Sequence, residues 1–307
     1  MTIYQRFLSF LVAAAAGLTG LFGITWTDTY EPDTFPLIAV SEQTPDTVRI
    51  CSFNIRNTDV NGTGMEHRIL IALQQISEIA PDSMGVQEAT TLWMPALRSL
   101  VGYSVVGICR EGVPIGEFNP IVYNAVKYRL LDAGTFWLSE TPQKPSVGWD
   151  AAYRRICTWA LLKNRKTGEV YAHINSHFDN QGKTAQVQEA NMIVAFAKEH
   201  FSDLPVVFTA DLNNQPGSPA HQILTSYLTD TRSASLDSVG FGTFHNAQPQ
   251  MHQQDIIDYI MVNDHVQPQV YRTVTTGVSG RFVSDHFPIY ADMRLQSPAD
   301  VLPAPIG

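Results

Sequence analysis

The sequence predicts one α/β domain of stacked sheets flanked by helices, and three observations carry that reading. Short strand-like runs outnumber helical patterns, no internal repeat divides the chain, and no linker-like stretch interrupts it after Pro45. A chain of 307 residues can build a core that takes about three quarters of the unfolded surface out of water. With 44% hydrophobic and 16% charged residues, the composition excludes disorder, collagen and coiled coil.

At the N-terminus, Arg6 precedes an uncharged run from Phe7 to Trp26. Residues 1–26 therefore read as an export segment, either a cleaved signal peptide or an uncleaved N-terminal membrane anchor formed by residues 7–26. Either places the protein in the periplasm or outside the cell. Residues 27–47, rich in Thr, Asp, Glu and Pro without periodicity, read as an exposed linker. The domain is expected over residues 48–295. Its strand-like runs are Val48 to Ile55, Ser83 to Glu88, Tyr103 to Cys109, Lys127 to Leu138, Arg155 to Leu162, Glu169 to His177, Pro205 to Asp211 and Ile257 to Val262.

Helical spacing marks Glu66 to Ala80, with Ile69, Leu73, Ile76 and Ala80 on one stripe. A second helix is expected over Thr184 to His200, facing inward through Val187, Asn191, Val194 and Ala197. A third spans Ser218 to Leu228, with Ser218 as cap and Pro219 in the first helical position. Residues 296–307 carry three prolines and read as a flexible tail. Cys51, Cys109 and Cys157 form no CxxC pair and are expected as buried free thiols, with no zinc site.

Twenty Lys and Arg against twenty-nine Asp and Glu give a net charge of −9. That sign is wrong for gripping a phosphate polymer through a broad basic face, so a small or neutral-bodied substrate is favoured.

Several apolar runs end in polar residues that are costly to bury and useful at a phosphate. Asn54 follows the first run and Glu88 follows Val86-Gln87; oxygen donors at strand ends suit a hard cation such as Mg²⁺. Taken singly, each is more often a turn or surface group. His177 and Asp179 are two apart, which puts them on one face if the strand continues, with the carboxylate orienting the imidazole. Asp211 and Asn213 repeat that spacing, offering a carboxylate to orient or deprotonate water and an amide to stabilise a phosphoryl oxygen. Asp258 stands among apolar neighbours and needs a partner, for which His286 of the Asp285-His286 pair is the natural candidate. The bland alternative is a structural ion pair.

The ordered set Ser52-Phe53-Asn54, Gln87-Glu88, His177-Phe178-Asp179, Ala210-Asp211-Leu212-Asn213, Ile257-Asp258-Tyr259-Ile260 and Ser284-Asp285-His286-Phe287-Pro288 resembles the endonuclease/exonuclease/phosphatase superfamily, the DNase I-like fold. The likeness runs from about Val48 to Arg294. It implies a four-layer α/β sandwich of two packed mixed β-sheets flanked by helices. It also implies that Asn54 and Glu88 hold a divalent metal with help from Asp285, with Mg²⁺ expected and Mn²⁺ as a substitute. His177 and His286 would contact the scissile phosphate, Asp211 would activate water, Asn213 would support the transition state and Asp258 would orient His286. Asp179, Arg155, Tyr123 and Glu117 are further pocket candidates, with structural roles weighed equally for Arg155 and Tyr123. Three departures stand out. Ala210 replaces a common glycine, Ile256 stands where a cation often precedes the I-D-Y-I motif, and Arg56 occupies a position that is acidic in the DNA-repair relatives.

The expected function is hydrolysis of a phosphodiester or phosphomonoester by in-line attack of an activated water. The substrate is expected to be a phosphorylated small molecule, a nucleotide or a lipid headgroup, with no obligate protein partner. The alternatives are a nuclease acting on DNA or RNA, which the net charge disfavours, and a non-catalytic binding module on the same fold.

Overall fold

The computed structural model describes residues 35–58, 64–278 and 281–296. Both the expected export segment and residues 297–307 of the expected tail lie outside them. Among the described residues no helix is long and apolar enough to cross a membrane.

Two mixed sheets are stacked face to face. One runs β12 (Asp237–Val239), β14 (Val266–Thr273), β15 (Ile289–Leu295), β1 (Val48–Asn54), β2 (Ser83–Gln87), β6 (Ile121–Asn124) and β4 (Tyr103–Val106). The other runs β11 (Thr229–Asp230), β13 (Asp258–Val262), β10 (Val206–Asp211), β9 (Val170–His177), β8 (Ile156–Asn164) and β7 (Tyr128–Trp137). A short pair, β3 (Ala89–Thr90) with β5 (Glu117–Phe118), sits beside the first sheet. Helices α1 (Met65–Ile79) and α2 (Trp93–Arg98) cover the seven-stranded sheet, while α3 (Lys183–Phe201) and α4 (Pro219–Thr225) cover the six-stranded one. A one-turn helix, α5 (Thr231–Ala234), follows. The architecture is the α/β sandwich of two packed mixed sheets that the resemblance implied.

Alternation along each strand explains the layers. In β1, Ile50 faces the second sheet, where it clusters with Val207 and Ile260 of that sheet and with Ile121 and Ile289 of its own, whereas Cys51 and Phe53 face outward to Ala72 and Ile76 of α1. Across the molecule, Ile174 and Phe208 face Ala190, Ile193 and Phe201 of α3. The three cysteines are buried free thiols, as expected.

Toward one rim the layer between the sheets turns polar. His173 bridges Ser83 Oγ at 2.8 Å and Thr209 Oγ1 at 2.9 Å, and Asn175 donates to the Val86 and Pro120 carbonyls while accepting from Gln87 at 2.7 Å. Burial keeps His173 neutral, with its pKa held down to about 3. Gly85 is required here because a Cβ would lie 1.9 Å from Thr209 Oγ1 and 2.4 Å from Asn175 Oδ1. Both neighbours are locked by their own hydrogen bonds and cannot yield. Gly85→Ala is expected to cost about 3 kcal/mol, read as a lower urea midpoint at unchanged slope.

Two expectations need correction. The segment from Phe35 is packed rather than exposed: Phe35 and Ile38 are buried against Phe241 and Phe287, and Ser41 and Thr44 donate backbone N–H groups to Tyr290 and Asp292. Single apolar residues that each meet a different element leave no periodicity to read. In α3 the inward face is Ala185, Gln186, Glu189, Ala190, Ile193, Val194, Ala197 and Phe201, so Val194 and Ala197 face inward as expected, while Asn191 is exposed and Val187 only half-buried. Counting apolar residues missed a face that carries two buried polar ones.

Candidate active site

The strand ends bring the chemistry together. β1 stops at Asn54, β2 stops one residue before Glu88, β9 stops at His177 and β10 at Asp211. Parallel pairing sets Asp211 beside His177, and antiparallel pairing sets it beside Asp258, the first residue of β13. Asp285 and His286 lie just before β15. Three non-glycine residues at this rim have left-handed backbones, Arg56 (φ 57°), Glu88 (φ 60°) and Asn213 (φ 49°). Such conformations cost on the order of 1 kcal/mol each and persist where surroundings enforce them, commonly at functional sites.

Asp211 is the hub. Its Oδ2 accepts Asn54 Nδ2 at 2.8 Å and lies 3.6 Å from His177 Nε2 and 3.8 Å from His286 Nε2, while its Oδ1 accepts the Asn213 N–H at 2.9 Å. Asn213 Nδ2 donates to His177 Nε2 at 2.9 Å and to the Phe178 carbonyl at 3.0 Å. An amide nitrogen only donates, so the His177 proton sits on Nδ1. That atom is buried without a hydrogen-bond partner, 3.9 Å from Glu117 Oε1. Burial, then the charges of Arg155, Arg110 and His286, hold His177 far below its usual range.

His286 behaves oppositely. Burial opposes its charge, yet Asp258, whose Oδ2 meets Nδ1 at 2.8 Å, and then Asp211 raise its pKa, so His286 carries a proton at neutral pH. Asp258 is fixed in turn by Thr243 Oγ1, which accepts its N–H at 3.0 Å, and the Phe244 ring packs 5.0 Å from the His286 ring. Burial and the neighbouring Asp258 charge raise Asp211 above the ordinary carboxylate range. The rim thus holds one neutral histidine, one charged histidine and a carboxyl between them.

Glu88 accepts the Asn57 N–H at 2.8 Å and Asn54 Nδ2 at 3.1 Å. Asn54 turns its Nδ2 to Glu88 and Asp211 and its amide oxygen to the Arg56 N–H at 2.9 Å, so Glu88 is the oxygen donor placed for a hard divalent cation, and Asn54 joins it as an oxygen donor when its amide turns over. Asp285 is engaged differently, by Arg56 Nη1 at 2.6 Å. A second acidic group, Asp211, Asp258 and His286, has its ligand atoms within 4.8 Å of one another. The proton on His286 already supplies positive charge there, which makes that triad a proton-holding group.

The remaining candidates are placed apart. β9 ends at His177, so Asp179 turns away and does not touch the imidazole. Its carboxylate accepts backbone N–H groups from Ala152, Tyr153, Gln181 and Gly182 and faces Arg155 Nε at 3.3 Å. Burial opposes its charge, but those N–H groups and Arg155 hold its pKa below the usual range. Arg155 is buried behind His177, holding this loop. Tyr123 lies in the core between the sheets, in register with Ser83 at the far end of β2, and does not reach the rim. Glu117 reaches it through His177, held by Arg110 at 2.6 Å and Asn57 at 3.0 Å. Burial lifts its carboxyl above the usual range against the pull of Arg110. Thr243, Phe244, Asn57 and Arg110 carried no sequence signal.

Beneath the Asp179 loop, Glu189 is fully buried, accepts the Asp179 N–H at 3.0 Å and has no partner for Oε1. Burial raises its pKa from 4.5 to about 8. The folded state therefore binds a proton that the unfolded state releases, and stability falls as pH rises from 4.5 through 8. Glu189→Gln keeps the acceptor and removes the titration. Thermal melts are expected to show the variant gaining roughly 3 kcal/mol on the wild type between pH 4.5 and 7.

The sequence profile of the Endonuclease/Exonuclease/phosphatase family matches residues 51–286, which contain every strand-end group described above. The chain belongs to that family. An endonuclease/exonuclease/phosphatase from Bacteroides vulgatus is similar at 32% identity and TM-score 0.77, covering 81% of this chain and 99% of its own. A mannosyl-6-phosphatase from Bacteroides thetaiotaomicron is similar at 30% identity and TM-score 0.75, covering 80% of this chain and 99% of its own. The catalytic domain of human Nocturnin shares the fold at 14% identity and TM-score 0.67, covering 83% of this chain and 96% of its own. No curated protein sequence matches the chain.

Proposed function

We propose that this family member is an exported, divalent-metal-dependent phosphomonoesterase acting on a phosphorylated small molecule, with a sugar phosphate as the substrate class. The carrying observation is Asp211 Oδ2 standing 3.6 and 3.8 Å from the Nε2 atoms of a neutral and a charged histidine, beside the Glu88 carboxylate and the Asn54 amide. Similarity to a mannosyl-6-phosphatase supports the sugar, and the charge of −9 weighs against long nucleic acid. The uncharged run from Phe7 to Trp26 supports export.

Glu88 and Asn54 would hold the ion, for which Mg²⁺ is the proposed identity. When bound it neutralises phosphoryl charge. Asp211 accepts a proton from the attacking water as the new P–O bond forms. The bond to the ester oxygen breaks in line, and His286 supplies the proton that the departing alkoxide takes up. His177, whose unprotonated Nε2 accepts from Asn213 Nδ2, positions that amide beside the phosphoryl oxygens, with Glu117 3.9 Å from the His177 Nδ1 that carries the proton. Asp258 keeps His286 charged.

The test is hydrolysis by the full chain of a hexose 6-phosphate, an aryl phosphomonoester, a bis-aryl phosphodiester, plasmid DNA and phospholipid, with Mg²⁺ and with EDTA. Metal-dependent release of phosphate from the monoesters is expected. Cleavage of DNA or the diester in preference to both monoesters would overturn the monoesterase reading.

A further inference from the structure

Outward from Glu117 lies a second set of charged and aromatic side chains, beginning at Arg110, that the reaction at Asp211 does not use. Glu117 holds Arg110 at 2.6 Å, and the Arg110 guanidinium lies over the Tyr153 ring, 5.3 Å from its centroid. Arg155 lies over the same ring at 5.5 Å. Arg154 pairs with Glu111, the neighbour of Arg110. The set opens outward: Tyr153 is 46% exposed, and the Arg154 and Glu111 side chains are 40% and 32% exposed, against 7% for Glu117 at the inner end. Arg110 Nε faces Glu111 Oε1 at 3.5 Å, so Glu111 spans both arginines, and Arg154 Nε is a buried donor without a hydrogen-bond partner.

Its backbone is fixed. The Tyr153 N–H donates to Asp179 at 3.2 Å, and Trp137 Nε1 donates to the Arg110 carbonyl at 2.7 Å, so the platform is built before any ligand arrives. A free phosphate would use the guanidinium groups and ignore the ring face. An alkyl chain would use the ring and ignore the guanidinium and carboxylate groups beside it. A hydroxylated ring uses both, laying its C–H face on the aromatic surface while adjacent hydroxyls bridge the guanidinium donors and the carboxylate acceptor.

We propose that Arg110, Glu111, Tyr153 and Arg154 form the subsite for the leaving group, and that this group is a sugar ring; the assignment rests on the phosphomonoesterase reading above. Water attacks at Asp211 while the sugar on the far side of phosphorus stays seated on Tyr153.

The test compares Tyr153→Ala, Tyr153→Phe and Arg154→Ala with the wild type on hexose 6-phosphate and on methyl phosphate, which shares the alkoxide leaving group but lacks the ring. For the two alanine variants KM for hexose 6-phosphate is expected to rise about 10- to 100-fold. Turnover of methyl phosphate should stay within about twofold, and Tyr153→Phe should stay near wild type because the ring face remains. Equal losses on both substrates, or no loss on either, would overturn the subsite. Wild-type preference for a nucleoside 5′-phosphate over the hexose phosphate would overturn the sugar. Wild type that turns over neither substrate with Mg²⁺ counts against the phosphomonoesterase reading instead. In that event calorimetric binding of hexose 6-phosphate still decides the subsite: about 10-fold weaker binding by Tyr153→Ala supports it, and unchanged binding by that variant, or no detectable binding by the wild type, overturns it.

Discussion

Asp211→Asn is expected to lower kcat by between about 10²- and 10⁴-fold while leaving metal affinity nearly unchanged. The asymmetry follows from the position of the carboxylate. Asp211 Oδ2 meets two imidazole nitrogens and the Asn54 amide, so the group that would take a proton from water sits where the protein has gathered its other proton carriers. An amide there keeps the shape and loses the proton acceptor. It also loses a negative charge that helps to keep His286 protonated, which weakens the supply of a proton to the leaving group. One of the two donors now facing Asp211, Asn54 Nδ2 or the Asn213 N–H, must confront the new NH₂ group, at a cost of about 1–2 kcal/mol in stability. Single-turnover rates beside Mg²⁺ titration separate the outcomes. Equal loss of rate and metal affinity would mean that Asp211 holds the ion.

Why the rim was legible, and its outer wall was not, comes down to sequence distance. Asn54, His177 and Asp211 each end a fully buried strand and Glu88 follows one, so a polar residue that ought to be costly announced itself. By contrast, β14 carries Pro268 among glutamines and a register shift, and β6 is four residues long, so neither presented a strand pattern. Asp179 was legible in a different way from the one used. Asp179-Asn180-Gln181-Gly182 is an Asx-turn sequence, and the Gln181 and Gly182 N–H groups do fold back on the carboxylate. Arg56 meets Asp285 across 229 positions and Asn57 meets Glu117 across 60, and nothing local in either stretch encodes its partner.

The Arg56 contact shapes the second large effect, because it divides the expected metal donors into unequal members. Glu88→Gln is expected to abolish metal-stimulated turnover, weakening Mg²⁺ binding by about 100-fold or more and leaving the rate the wild type shows in EDTA. Asp285→Asn is expected to do far less to metal binding, since the Asp285 carboxylate is already neutralised by Arg56 at 2.6 Å. Glu88 has only neutral donors on it, the Asn57 N–H and the Asn54 amide, and so offers its full charge to a cation. The glutamine keeps an oxygen for the Asn57 N–H, and a melting temperature close to wild type is expected to show that the fold survives. Calorimetric Mg²⁺ titration of both variants checks the ranking. A Glu88→Gln protein that saturates with Mg²⁺ and turns over like the wild type would remove Glu88 from the metal shell. If Asp285→Asn instead loses the ion, Arg56 must release Asp285 when the metal binds.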